Sequence, residues 1–317
     1  MSGEGVRLIA PAEIDRNPEN PRLIFREEEL LSLQESISEQ GILVPLTVYS
    51  SSRGYIILDG ERRWRCALKL GLASVPAIVQ SEPDLITNIM MMFAIHKARS
   101  DWDPLPTALK LQKLELILAD RLNRQPKESE LSAAASLTRG EVRRYRNILN
   151  LPSVYREELL AELELPRAKQ ILTVDHVLES SRGADALFNQ DILDKAETEQ
   201  LTGALISKFR SKALKSTVEP RLLARIARAV SRDEVEHKVA RRVALKIIND
   251  DSYTVKQAFT DSVEKVDFEH AIEQLCDRMT VRIGEHIDRG YEPGDGLKNS
   301  LRALKKAIDR VLINARS

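Results

Sequence analysis

The stretch YIILDGERRWRCALKLG, Tyr55 to Gly71, decides how the fold is read. Tyr55 to Leu58 is a short β-branched and apolar run, the pattern of a strand. Asp59-Gly60 turns the chain, and a helix opens at once with Glu61-Arg62-Arg63, runs to Leu70 and stops at Gly71. A helix N-terminus presents unpaired N–H groups and the positive end of the helix dipole. Gly60 lets the backbone approach a ligand closely, and the two arginines add charge-assisted donors. Together these make an anion site suited to a polyphosphate. The competing reading is an arginine pair on a solvated helix face.

Outward from this segment, strands and helices alternate. Val6 to Ile9 reads as a strand, NPENPR (Asn17 to Arg22) as a turn-rich connection, and Glu27 to Gln40 as a helix with Leu30, Leu31, Leu33 and Ile37 apolar and Gly41 as its stop. Val44 to Tyr49 reads as a strand that meets Tyr55 to Leu58 across the polar turn Ser50 to Gly54, and Val75 to Val79 as a further strand. After Pro83 the spacing is helical almost throughout, with Pro104, Pro126, Pro152 and Pro166 near helix starts and Ser180-Ser181-Arg182-Gly183 as a loop. The expected division is residues 1–82, 83–170 and 171–317, with a subdivision near 125.

DGERRWRCALKLG resembles the DGERR box of ParB-like N-terminal domains. GILVPLTV (Gly41 to Val48) resembles that family's Gly-hydrophobic-x-x-Pro box, and NPENPR resembles its opening segment. The order and spacing of all three agree. The resemblance implies an α+β N-terminal domain of the ParB/sulfiredoxin type, followed by a mostly α-helical region with a helix-turn-helix. It implies a cytidine nucleotide, usually CTP with Mg²⁺, whose phosphates meet Gly60, Glu61, Arg62 and Arg63 and whose wall includes Gly41, Pro45 and Thr47. A third box, ENIQR or ENIHR in the family, corresponds to FAIHKARSDWDP, Phe93 to Pro104. His96 and Arg99 are its candidate nucleotide contacts, but in either register the family's Glu and Asn are absent. His96 fills part of that role or is a helix-end histidine with no ligand. Sulfiredoxin carries a reactive cysteine in the loop matching Asp59–Arg62. Here Cys66 lies further into the helix among apolar neighbours, as a small core residue would.

Residues 126–152, PKESELSAAASLTRGEVRRYRNILNLP, read as a helix from Glu128 to Ala135, a turn at Ser136-Leu137 and a second helix capped by Thr138 with Glu141 completing the capping box. Val142, Tyr145 and Leu149 form its apolar face, and Arg139, Arg143, Arg144 and Arg146 its charged sides. A helix-turn-helix places such a helix in the major groove, and arginine suits phosphate and guanine alike. Ser136 stands where many such turns carry Gly. The alternative is an ordinary helical hairpin. Further on, Arg221, Arg225, Arg228 and Arg232 share one helical face in the cationic stretch Lys208 to Arg232, a candidate phosphate-backbone contact.

At the C-terminus, apolar residues from Phe268 to Ile287 and from Leu297 to Val311 recur at helical spacing on either side of GYEPGDG. This predicts a helical hairpin whose seam is an intrachain core or a homodimer interface. Lys+Arg and Asp+Glu are both 48, so a nucleic-acid surface has to be local. Two distant cysteines give no disulfide framework or zinc ribbon, and no apolar run is long enough to span a membrane, so a cytoplasmic, nucleoid- or plasmid-associated protein is expected. The expected partners are DNA, a second copy and a ParA-type ATPase. The last is set against the lack of a basic arm in the few residues before the first strand. Competing functions are a phosphoryl-transfer or NTP-hydrolysing enzyme on the same fold and a transcription regulator with a degenerate pocket. With Glu and Asn missing from the third box, turnover of bound nucleotide should be slow or absent. A phosphate-release assay checks this, and robust turnover would mean that another residue, such as Glu61 or His96, has taken over.

Overall fold

A computed structural model describes residues 5–97 and 103–314. The N-terminal part is a five-stranded sheet of β1 (Val6–Ile9), β2 (Ile14–Asp15), β3 (Leu46–Ser51), β4 (Gly54–Asp59) and β5 (Val75–Gln80), in the order β1-β5-β3-β4-β2. β3 and β4 form an antiparallel hairpin, β3 and β5 run parallel, and β1 closes one edge antiparallel to β5. Alternation along the strands places side chains on two faces. Leu46, Val48, Ile57, Val75 and Ala77 form one apolar cluster with Ala67 of α2 (Glu61–Lys69). Tyr49 and Leu58 form another with Met92 of α3 (Leu85–Lys97). Between β2 and β3 lies α1 (Glu27–Gln40), whose Leu30 and Ile37 cover Cys66.

The rest is helical: α4 (Pro104–Leu122), α5 (Glu128–Ala134), α6 (Arg139–Leu149), α7 (Ser153–Glu164), α8 (Val174–Phe188), α9 (Lys195–Arg210), α10 (Arg221–Ser231), α11 (His237–Asn249), α12 (Val255–Thr260), α13 (Glu264–Asp288) and α14 (Asp295–Asn314). Ile89 and Phe93 of α3 pack with Leu111 and Leu114 of α4 and with Leu131 and Val142 of α5 and α6. The sheet unit and the helix-turn-helix therefore share α3 as a wall. A second, larger apolar cluster joins α8 to α12.

Two expectations change here. Ser180 to Gly183 is no loop but the middle of α8, with Ser180 and Gly183 both buried. The small residues mark a close helix contact: a Cβ on Gly183 would lie 2.6 Å from the Pro220 carbonyl oxygen and 3.1 Å from Leu223 Cδ1. The C-terminal hairpin forms as α13 and α14, but its seam is not an intrachain core. No residue of α13 is buried, and Phe268, Leu275 and Ile287 are each more than half exposed.

Replacing Gly183 sets two effects against each other. Alanine gains about 1 kcal/mol of helix propensity. Overpacking against a backbone oxygen costs about 1–3 kcal/mol. The clash should win, and Gly183→Ala should lower the urea midpoint with an unchanged slope. A midpoint equal to the parent's would show that α10 yields by a few tenths of an ångström.

Candidate functional site

The turn between β4 and α2 builds an anion-binding corner. Gly60 adopts a left-handed conformation at φ 96°, and a Cβ there would meet Leu46 Cδ2 at 2.6 Å, so both backbone and space demand glycine. The first turn of α2 opens on a cleft of about 700 Å³ between α1 and the segment Gly41–Val44. Ser32 and Ser36 line it from α1, and Asn20 and Arg22 from the NPENPR turn. Ser32 and Ser36 were not singled out from sequence, and Asn20 and Arg22 only as members of the NPENPR box. The available signal was the i, i+4 spacing of Ser32 and Ser36 on α1.

The arginines are engaged within the chain. Arg62 donates from Nη2 to the Glu29 carbonyl oxygen at 2.5 Å. Arg63 donates from Nη1 to the carbonyls of Pro45, at 3.0 Å, and Val44, and approaches Asp59 Oδ2 at 3.4 Å. Glu61 lines the same cleft but is 5% exposed, and its carboxylate is engaged within the chain: it accepts from Asn20 Nδ2 at 2.7 Å and from Arg65 Nε and Nη2 at 3.0 and 2.6 Å. Gly41 lines the cleft, whereas the lining stops short of Pro45 and Thr47, and Thr47 is a β3 residue paired with Asp59 and Ile78. His96 lies in α3 with its side chain outside what is described, and Arg99 lies outside the described residues. Cys66 is fully buried, and burial pushes its thiol pKa up, against thiolate chemistry.

Glu29 joins this corner to the end of α7 and the segment after it. Its carboxylate takes Arg22 at 2.6 Å, Arg26 at 3.3 Å and Arg167 at 2.9 Å, while Arg26 also donates to the Leu163 carbonyl at the end of α7. Burial alone would raise the Glu29 pKa. The arginines, Arg167 foremost, hold it below the ordinary carboxylate value.

In the helix-turn-helix, Ser136 takes up the left-handed turn conformation at φ 53°. Thr138 Oγ1 accepts from the Glu141 N–H at 3.2 Å, and the Thr138 N–H donates to Glu141 Oε2 at 2.6 Å, so the capping box forms. The four arginines of α6 divide. Arg144 pairs with Asp175 of α8 at 2.9 Å and Arg146 with Glu115 of α4 at 2.5 Å, so both act as struts between helices. Arg139 and Arg143 are exposed, Arg143 with a loose approach to Glu128 at 3.6 Å.

The α10 row is also largely engaged. Arg221 donates to Glu179 at 2.7 Å. Arg225 pairs with Asp267 of α13 and lies 4.8 Å from the Phe259 ring centre. Arg232 lies 3.9 Å from Glu234, so of the four only Arg228 stands exposed without a described side-chain partner. Lys208, at the head of the same cationic stretch, is 2% exposed and donates to the Asp250 carbonyl at 2.7 Å. A continuous phosphate-contact stripe is thus not what this face presents.

The ParB N-terminal domain model matches residues 1–94. Over 177 residues the chain is 33% identical to the chromosome-partitioning protein Spo0J of Thermus thermophilus, a match covering 55% of this chain and 62% of that one. The chain therefore spans less than two thirds of that relative. Among solved structures, C-terminally truncated ParB from Caulobacter crescentus complexed with CTP-gamma-S is 31% identical, covering 52% of this chain and 88% of that one at a TM-score of 0.29. The same protein complexed to the centromeric parS site is 25% identical, covering 69% and 98% at a TM-score of 0.42. With its three N-terminal boxes in order and the domain match, residues 1–94 belong to the ParB N-terminal domain family.

Proposed function

We propose that this chain is a nucleotide-regulated DNA-binding protein of the partition type, with a CTP site at the β4–α2 corner and DNA readout through α6. The observation that carries the nucleotide half is the convergence of Gly60, Arg62 and Arg63 on one cleft. Both arginines hold carbonyl oxygens there, with Asp59 Oδ2 a further 3.4 Å partner of Arg63, and a triphosphate offers ionised acceptors whose hydrogen bonds are about twice as strong as those to a carbonyl. The preference for cytidine follows the ParB relative solved with CTP-gamma-S. Among the described residues no three His, Cys, Asp or Glu side chains cluster as a metal site, so a Mg²⁺ ion would rest mainly on the nucleotide's own phosphates.

The DNA half is supported by the capped α6 and its exposed Arg139 and Arg143. The partition role is supported by the relatives' chromosome-partitioning function. The unpartnered seam of α13 and α14 supports self-association, with a second copy covering Phe268, Leu275 and Val311. A ParA-type ATPase remains part of the proposal through the family alone.

Titration calorimetry with all four NTPs should give heat with CTP, and Arg62→Ala should weaken binding by about 1.5–3 kcal/mol, the worth of a hydrogen bond to a charged group. Absence of heat with every NTP at millimolar concentration would sink the nucleotide reading. For DNA, Arg143→Ala should cost about 1–3 kcal/mol on a duplex selected from a random pool and less on an unselected one. Arg144→Ala should instead lower thermal stability, through loss of the Asp175 pair. Competition binding and melting curves separate the two, and equal affinity of Arg143→Ala for both duplexes relative to the parent would remove α6 from recognition.

A further inference from the structure

The outward face of α6 carries one polar side chain that the family boxes do not name. With Val142, Tyr145 and Leu149 turned to the core, the opposite side presents Gly140, Arg143 and Asn147 at i, i+3 and i+7. Gly140 offers no side chain, and nothing but Thr138 Oγ1, 3.9 Å away, would meet a Cβ there, so the first turn can come close to a ligand surface. Arg143 stands next, exposed, and Asn147 one turn beyond it, also exposed and with no described side-chain hydrogen bond. Arg144 and Arg146, by contrast, are committed to Asp175 and Glu115. Arg139, exposed one turn before Arg143, shares this side, so the readable chemistry of the helix narrows to two guanidiniums and a carboxamide in line.

We propose that Asn147 is a specificity-determining residue that reads an adenine in the major groove. This rests on the reading of α6 as the DNA-recognition helix. A carboxamide offers one acceptor and one donor side by side, matching the N6–H₂ donor and N7 acceptor of adenine, whereas Arg143 matches O6 and N7 of guanine. Four residues of helix rise about 6 Å. Base pairs step about 3.4 Å, so the adenine lies about two base pairs from the guanine read by Arg143. A phosphate contact would suit a lysine or arginine better than a neutral amide.

The test uses the full chain and a random-sequence duplex library. The wild type should enrich a site holding a G·C pair and, about two pairs away, an A·T pair. Replacing that A·T pair should weaken wild-type binding roughly ten- to hundredfold, and 7-deazaadenine at the position should reproduce part of the loss. Asn147→Ala should bind all four bases there alike, within about twofold, while keeping the guanine preference. Asn147→Gln should restore part of the adenine preference. Circular dichroism and melting of both variants should match the wild type, because the side chain is exposed. Unchanged base ratios in Asn147→Ala, or an equal loss on every sequence, would overturn the proposal while leaving α6 as a DNA-binding helix. Failure of the wild type to enrich any sequence would overturn the recognition reading, and this proposal with it.

Discussion

Glu19 sits with 6% of its side chain exposed between two ammonium groups, Lys113 at 2.6 Å and Lys110 at 3.3 Å, both from α4. The same turn sends the Asn17 amide to Asn88 of α3 at 2.7 Å and the Asn20 amide to Glu61 of α2 at 2.7 Å. Three buried polar side chains in four residues thus reach three helices. Leaving any one unpaired would cost about 1–3 kcal/mol or more, which makes the junction demanding about geometry. Burial by itself would raise the Glu19 pKa, but the two lysines hold it below the ordinary value, so the carboxylate stays charged. Lys110 feels the opposite pressure, since burial pulls its pKa down. With two cations on one carboxylate, the charged arrangement is the one the contacts favour. The placement of α2 against α3 and α4, and so of the anion corner against the helix-turn-helix, depends on this turn.

Charge elsewhere is used in the same internal way. A chain with equal numbers of acids and bases has no field to steer it toward DNA as a whole. Many of its arginines are consumed between elements: Arg146 to α4, Arg144 to α8, Arg221 across to Glu179, Arg225 to α13. What is left outward on α6 is sparse, chiefly Arg139 and Arg143.

The local structure was legible in the residues that speak to their neighbours. The helix from Glu27 to Gln40, the Gly60 turn and the Thr138–Glu141 box follow from patterns within a few positions, and all form as read. What was not legible depended on distant partners. Asp175 and Glu115 lie 31 residues from the arginines they bind, and nothing in the spacing of α6 separates struts from readers. NPENPR reads as a turn-rich connection because its residue types favour turns, and that pattern says nothing of burial. Its burial arises only when α3 and α4 fold over it. Ser180 to Gly183 failed for a related reason: small residues mark a loop and a close helix crossing equally well, and only the position of Pro220 decides.

The hairpin of α13 and α14 has a consequence for how this chain can change. The buried apolar clusters all end by Val263, so side chains beyond it answer to no internal volume. Core positions are coupled, because a methylene added at one is felt by its neighbours. Exposed seam positions are spared that coupling. Beyond the Asp267 pair with Arg225, substitutions along the exposed seam should therefore be close to additive with respect to the rest of the chain. The surface this segment offers can thus be altered without repacking the anion corner or the helix-turn-helix.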